Sequence, residues 1–225
     1  MTSVVIATKD LIKDGRGIKR LVFQVYSLRN QADEVIIVDG SGHAEHQQIA
    51  QRIKTARIFH VTQAKMNLCA LWNIGVEKAQ GSHILISGAD MVYHPRFLEF
   101  AKEKYKDNTL LMCQAHTIPK TDPITYEKID LWAWRGVKPF PHGKLANGIQ
   151  FASKEVFKQV PYDERMELLG GMDNLMEYKC AKNGIEPVWW EQNYVYHQWH
   201  QQSRYKQHEQ FEKNQQTIRE YLNDE

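Results

Sequence analysis

Four side chains of catalytic or ligating type fall where elements begin or end: Asp39 in VDGSG, Asp90 in SGAD, Asp173 after Gly170-Gly171, and His197 in YHQWH. Each has a plain structural reading. Asp39 can close an Asx turn with Gly40. Asp173 can serve the first turn of a helix, where an acid stabilises by about 1 kcal/mol. Asp90 can be the point where a strand meets water, and His197 a half-buried aromatic. Asp39 and Asp90, however, both end apolar runs, EVIIV and HILIS. Open α/β sheets bind ligands outside the carboxyl ends of their strands, so both would sit at one binding edge. His197 and His200 have the spacing of a metal pair, but no cysteines flank them as a zinc site of this kind would require. Cys69, Cys113 and Cys180 lie far apart in apolar surroundings and read as reduced core thiols.

These residues need a scaffold, and the hydrophobic pattern supplies one. Ser3–Ala7, Glu34–Val38, Arg57–Val61 and His83–Ser87 read as buried strands. Ile18, Leu21, Val22, Val25 and Leu28 mark an amphipathic helix after the first strand. Residues 43–54 tolerate a helix, and Lys65–Ala79 reads as one that stops at Gly81. This alternation predicts a mostly parallel sheet with helices on both faces. A helix after Pro95, a strand at Leu110–Gln114, a strand at Gly148–Ala152 and a helix at Lys154–Gln159 continue the pattern. Helix 173–183, a strand at Pro187–Trp190 and a further segment at Tyr194–His200 follow. Residues 116–147 hold Pro119, Pro123, Pro139, Pro141, Trp132 and Trp134 without clean periodicity. A long loop of this kind is more often a binding element than a filler. Residues 201–225 read as a terminal helix packed along a stripe of Phe211, Ile218 and Leu222.

The totals narrow the class. A chain of 225 residues can bury a full core, and 42% apolar with 25% charged residues is ordinary for a globular domain. A net charge of +2 is too balanced to argue for nucleic-acid binding. No apolar stretch approaches the roughly 20 residues that span a bilayer. The start, MTSVVIATKD, reads as a first strand and not as a secretion signal, so the expectation is a soluble cytoplasmic domain.

The order of the pieces SVVIATKD, EVIIVDGSG, LWNIG with Ala79-Gly81 behind it, and HILISGAD resembles family 2 glycosyltransferases of the GT-A fold. ELLGGMDNLMEYKCAKNG resembles the segment in which that family carries its catalytic acid, and YHQWH its late histidine. The resemblance covers roughly residues 3–200. It implies a single domain at 1–200, a nucleotide-binding half at 1–92, an acceptor-binding half at 93–200, and a C-terminal helix. It also implies that Ala7, Thr8, Asp39, Asn73, Gly88, Ala89 and Asp90 face a nucleotide-sugar donor, most naturally a UDP-sugar. Asp173 would be the catalytic base, with Glu167 as the neighbouring alternative. Gly171, Met172, Trp132 and Trp134 would face the acceptor.

The sequence departs from the family pattern at three places. Gly40 replaces one acid after the second strand, Trp72 stands where the family has an arginine, and Gly88 replaces the first acid of Asp-x-Asp. A divalent cation at a sugar diphosphate offsets charge on the departing nucleotide. Mg2+ needs only one or two carboxylates beside phosphates and waters. Asp90 could therefore still hold Mn2+ or Mg2+, with His197 or His200 as an added ligand. His197 is the nearer to the strand end, and imidazole suits Mn2+ better.

The reading is thus a metal-dependent, inverting glycosyltransferase acting on a hydroxyl of a glycan, a small molecule or a modified DNA base. Two alternatives stand beside it: a nucleotidyltransferase using the loop ATKDLIKDGRGIKR, and an inactive nucleotide-sugar-binding protein, suggested by Gly88 and Trp72.

Overall fold

The computed structural model describes residues 1–118, 124–131, 149–168, 170–191, 195–198 and 208–223. Trp132, Trp134 and His200 lie outside them.

The expected strands form. β1 (Thr2–Thr8), β2 (Glu34–Asp39), β3 (Arg57–His60) and β4 (His83–Ser87) pair in parallel. Helix α1 (Gly17–Leu28) joins β1 to β2, and α2 (His43–Arg52) joins β2 to β3. Helix α3 (Leu68–Lys78) leads into β4. It starts later than Lys65 because Asn67 caps it, its side-chain oxygen accepting from the Ala70 amide at 2.9 Å.

Beyond β4 the chain forms β5 (Met91–Tyr93), α4 (Phe97–Lys104), β6 (Thr109–Cys113), β7 (His116–Thr117) and α5 (Tyr126–Leu131). Then follow β8 (Gln150–Ser153), α6 (Lys154–Gln159), α7 (Met172–Lys182), β9 (Glu186–Trp190), β10 (Val195–His197) and α8 (His208–Asn223). Among the described residues the main sheet runs β3-β2-β1-β4-β8-β6-β9, with β8 alone antiparallel.

The period of two along each strand explains why both faces are covered. Val5, Ala7, Ile36, Val38, Ile84 and Ile86 pack into one core with α3, α6 and α7. Their neighbours Val4, Ile6, Val35, Ile37 and Leu85 pack into the other with α1 and α4. An edge strand keeps the same logic: Trp189 packs against the first core and Trp190 against the second. Both tryptophans thus serve packing.

The strand order reverses beside β1, since β2 and β3 lie on one side and β4 on the other. The carboxyl ends of β1 and β4 therefore flank the topological switch point, where this class of sheet opens a crevice.

A second sheet, β5-β10-β7, follows that edge. Its strands span two or three residues, too few for a periodic signal, and the sequence reading had neither β5 nor β7. Helix α8 also differs from expectation. Ile218 is buried, whereas Phe211 and Leu222 are 46% and 41% exposed. Only part of the stripe packs, because α8 meets the domain chiefly through Ile218 and the buried Asn214.

Candidate active site

The switch-point edge gathers Thr8, Asp39 and the turn Gly88-Ala89-Asp90. Thr8 and Asp39 lie opposite one another in register, and Gly40 N–H donates to the Thr8 carbonyl at 2.8 Å. Ala7 and Thr8 are almost fully buried, and the Thr8 hydroxyl is a buried polar atom without a hydrogen-bond partner among the described residues.

Asp39 has no exposed surface. One of its oxygens accepts from Ser41 N–H at 3.0 Å, and the other meets His46 Nδ1 at 3.2 Å. His46 lies face to face with His60, with ring centroids 4.3 Å apart and 11° between planes. His60 Nε2 in turn reaches the Ser41 carbonyl at 2.7 Å. Asp39 thus stands behind His46 and Ser41, and does not itself face solvent. The ligand-type atoms of Asp39, His46 and His60 lie within 4.8 Å of one another. Nearly parallel, stacked imidazoles nevertheless cannot both keep a cation in their ring planes. The group reads as a hydrogen-bonded stack that fixes Asp39, and one ring would have to turn before it could chelate.

Asp90 is different. Its carboxylate is 25% exposed, and its Oδ2 lies 3.2 Å from His197 Nε2, which is 17% exposed. The two residues are 107 positions apart in sequence. Antiparallel pairing of β10 with β5 sets His197 against Met91, the neighbour of Asp90, and Gln198 N–H donates to the Asp90 carbonyl at 2.8 Å. Ala89 packs against the core, and the Gly88 carbonyl points at Gln24. The Tyr93 hydroxyl meets Ser87 Oγ at 2.5 Å beneath the turn, and burial pushes its pKa upward, so it remains a neutral hydroxyl.

Trp72 is buried on α3 and donates its indole N–H to the Ser87 carbonyl at 3.2 Å. It closes the end of β4 where the resembled family has a cation. Asn73, expected at the donor, has its amide committed elsewhere. Its nitrogen donates to the Tyr162 carbonyl at 3.0 Å and to Glu164 Oε1 at 2.9 Å, while its oxygen accepts from Tyr162 N–H at 3.0 Å. It ties α3 to the loop before α7.

Asp173 occupies the first turn of α7 and is partly exposed. Its backbone carbonyl accepts from Gln150 Nε2 at 3.3 Å, and Gln150 pairs in register with Ile86 of β4. The start of α7 therefore lies over the same sheet edge as Asp90, one strand away. Gly171 takes a left-handed conformation, φ 83°, and a Cβ there would meet Ile218 Cδ1 at 2.8 Å. Met172 is buried in the core. Both residues expected at the acceptor thus do packing work: α8 covers Gly171, and the Met172 side chain points inward. Glu167, the alternative base, lies 3.4 Å from the exposed Lys65.

Sequence reading missed Gln24, Gln198, His46 and His60. The two glutamines gave no signal, since an amide inside an amphipathic helix or a loop reads as solvent-facing. The histidines sit on a helix and a strand that were identified for their backbone alone.

A sequence profile described as glycosyl transferase family 2 matches residues 3–156. The chain belongs to glycosyl transferase family 2. Its fold is GT-A, as solved structures also show. TarS of S. aureus, residues 1–349, superposes with a TM-score of 0.64 at 17% identity, covering 99% of this chain and 65% of that one. The same TarS fragment in complex with UDP-GlcNAc gives a TM-score of 0.65 at 17% identity, covering 99% and 66%. GalNAc-T7 with UDP, GalNAc and Mn2+ gives 0.60 at 16% identity, covering 90% and 44%. The chain thus spans about two thirds of the TarS fragment's length. No curated protein sequence matches it. No helix among the described residues is long and apolar enough to cross a membrane.

Proposed function

We propose that this glycosyltransferase is an inverting enzyme that uses a divalent cation to move a sugar from a nucleoside-diphosphate donor, UDP-linked by preference, to an acceptor hydroxyl. The observation that carries the reading is the Asp90–His197 pair at the switch-point edge. One carboxylate oxygen and one imidazole nitrogen, both partly exposed and adjacent, fit Mn2+ or Mg2+ that completes its shell with phosphates and waters. The donor set therefore suits the ion although Gly88 has replaced the first acid. When bound, the ion would offset charge on the leaving diphosphate. TarS with UDP-GlcNAc and GalNAc-T7 with UDP and Mn2+ support this choice of donor and ion by their shared fold.

The chain's own residues supply the rest. Thr8 and the Asp39–His46–Ser41 group border the crevice at β1 and β2 and would receive the nucleobase. The orphaned Thr8 hydroxyl is a ready partner for a base or ribose oxygen. Asp173 takes the acceptor hydroxyl proton as that oxygen attacks the anomeric carbon and the sugar–phosphate bond breaks. The acceptor is a hydroxyl of a glycan, a small molecule or a modified DNA base, and with a net charge of +2 the nucleic-acid case is the less favoured.

Thermal shift with UDP, GDP, CDP and TDP, with and without Mn2+, tests the reading. A ligand that binds only the native state raises apparent stability by mass action. A UDP-selective, Mn2+-dependent rise that is lost in Asp90→Ala and reduced in His197→Ala is expected. A rise independent of Mn2+ and of Asp90 would refute the metal role, and no rise with any nucleotide would leave an inactive fold. Asp173→Asn should retain donor binding and lose turnover by 10²-fold or more. Unchanged turnover would remove Asp173 as the base.

A further inference from the structure

Gly88 poses a structural problem: without a first acid, what fixes the turn that aims Asp90? Gln24, on α1, has no exposed surface. Its Nε2 donates to Ser87 Oγ at 2.8 Å and to the Gly88 carbonyl at 2.8 Å, and its Oε1 accepts from Met91 N–H at 3.3 Å. A single carboxamide therefore spans the turn and satisfies polar groups on both sides of Ala89-Asp90. A carboxamide carries two N–H donors and an acceptor oxygen, and these three bonds use all of them. From the opposite side, Gln198 is 3% exposed. Its backbone N–H donates to the Asp90 carbonyl at 2.8 Å, and its side chain donates to the Arg20 carbonyl at 2.9 Å and to the Met91 carbonyl at 3.4 Å. Gln198 also follows His197 directly, so one segment carries the imidazole and the second half of the clamp.

Two buried carboxamides are costly unless their polar atoms find partners. Plain helix packing would have been served equally by leucine at position 24, which already has Leu21, Val25 and Leu28 as core neighbours. The two carboxamides bond the Gly88 carbonyl and the Met91 N–H and carbonyl, the backbone groups on either side of Ala89-Asp90.

We propose that Gln24 and Gln198 are positioning residues for the cation site, forming a carboxamide clamp that holds Asp90 against His197 and stands in for the rigidity a second acid would confer. This rests on Asp90 and His197 being the cation ligands. The clamp does not touch the ion. It lowers the cost of arranging its ligands, as outer-shell partners do when they orient metal-binding groups.

The test uses the full chain with the Gln24→Met variant, which keeps bulk and removes all three side-chain bonds. Mn2+ binding in the presence of saturating UDP is read by the electron paramagnetic resonance of free Mn2+. UDP binding without metal is read by calorimetry, and the fold by circular dichroism. The expected result is a 10–100-fold weaker Mn2+ affinity with metal-free UDP affinity unchanged, the range seen for outer-shell losses. A folded Gln24→Met protein with wild-type Mn2+ affinity overturns the clamp. An equal fall in metal-free UDP affinity also overturns it, because the effect would then be a general loss of the donor crevice. Should Gln24→Met not fold, Gln198→Met is read the same way and wild-type Mn2+ affinity there is decisive against the proposal. If the wild-type chain itself takes up no Mn2+ with UDP, the ligand reading falls and the clamp with it. That result differs from the variant-only outcomes.

Discussion

Replacing Gly75 by alanine tests whether the Asn-x-Gly segment on α3 serves packing. A Cβ at position 75 would lie 2.2 Å from Val5 Cγ1 and 3.3 Å from Val38 Cγ2, against ordinary contacts beyond 3.4 Å. Val5 and Val38 are fully buried in adjacent strands, so neither methyl can swing away. The helix must instead back off from β1 by an ångström or more. Overpacking of this kind costs about 1–3 kcal/mol, and the contact is short enough to put Gly75→Ala at the upper end. The gain in helix propensity, about 1 kcal/mol, offsets part of it. A net loss of about 2 kcal/mol follows, which for a domain of this size lowers Tm by roughly 4–8 °C.

The sharper measurement is the double variant. Val5→Ala removes the methyl that Gly75→Ala strikes, at the cost of a small cavity. Chemical denaturation of the two single variants and the double should show coupling of at least about 1 kcal/mol in favour of the double. Strict additivity, or a Gly75→Ala protein as stable as wild type, would refute the close helix–sheet approach and the packing role with it.

Asn73→Ala should act through the loop before α7, because all three amide bonds go to Tyr162 and Glu164. It should lower kcat several-fold and stability by about 1–3 kcal/mol while donor affinity stays unchanged; a selective loss of donor affinity would return Asn73 to the donor site. Glu34 gives a pH prediction. Burial pushes its carboxyl up, but hydrogen bonds from the Gln80 amide and the Ser3 hydroxyl, with the Arg57 guanidinium beside it, outweigh this and hold it below the ordinary 4.5. Its contribution to stability is fully present above about pH 4.5 and is lost as pH falls through the lowered value. Glu34→Gln should therefore be less stable at pH 7 and show a flatter decline of Tm below pH 4.5. A decline as steep as in wild type would place the acid sensitivity elsewhere, for example at Asp163, whose carboxyl Arg165 also holds low.

Much of the fold was legible because long, fully buried strands carry their own signal. EVIIV and HILIS sit in the interior of a mostly parallel sheet covered on both faces, and such strands read as continuous apolar runs. Strand β4 occupies the residues expected of it, and α6 likewise. The short strands β5 and β7 were not legible, since two or three residues carry no period. The stripe on α8 was misjudged for a related reason: spacing reports which residues share a helix face, but not how much of that face another element covers. Phe211 and Leu222 share the face and remain exposed.

The candidate site divides along the same line. Local sequence marked Asp39, Asp90 and Asp173, because each terminates or begins an element and the sheet edge follows from the order of elements. It also favoured His197 over His200 as a partner for Asp90. What it could not supply was contact. The 3.2 Å between Asp90 and His197 depends on β5–β10 pairing across 107 residues. The sealing of Asp39 behind His46 depends on a helix and a third strand converging on one side chain. The commitment of Asn73 to Tyr162 and Glu164, and of Gln24 to the Gly88–Met91 turn, depends on elements that meet only after folding. Hydrophobic periodicity is a local property and fixes which face of each element is buried. Hydrogen-bond partners of buried polar atoms are chosen by whatever the packing brings within 3 Å or so, and that choice belongs to the tertiary structure alone.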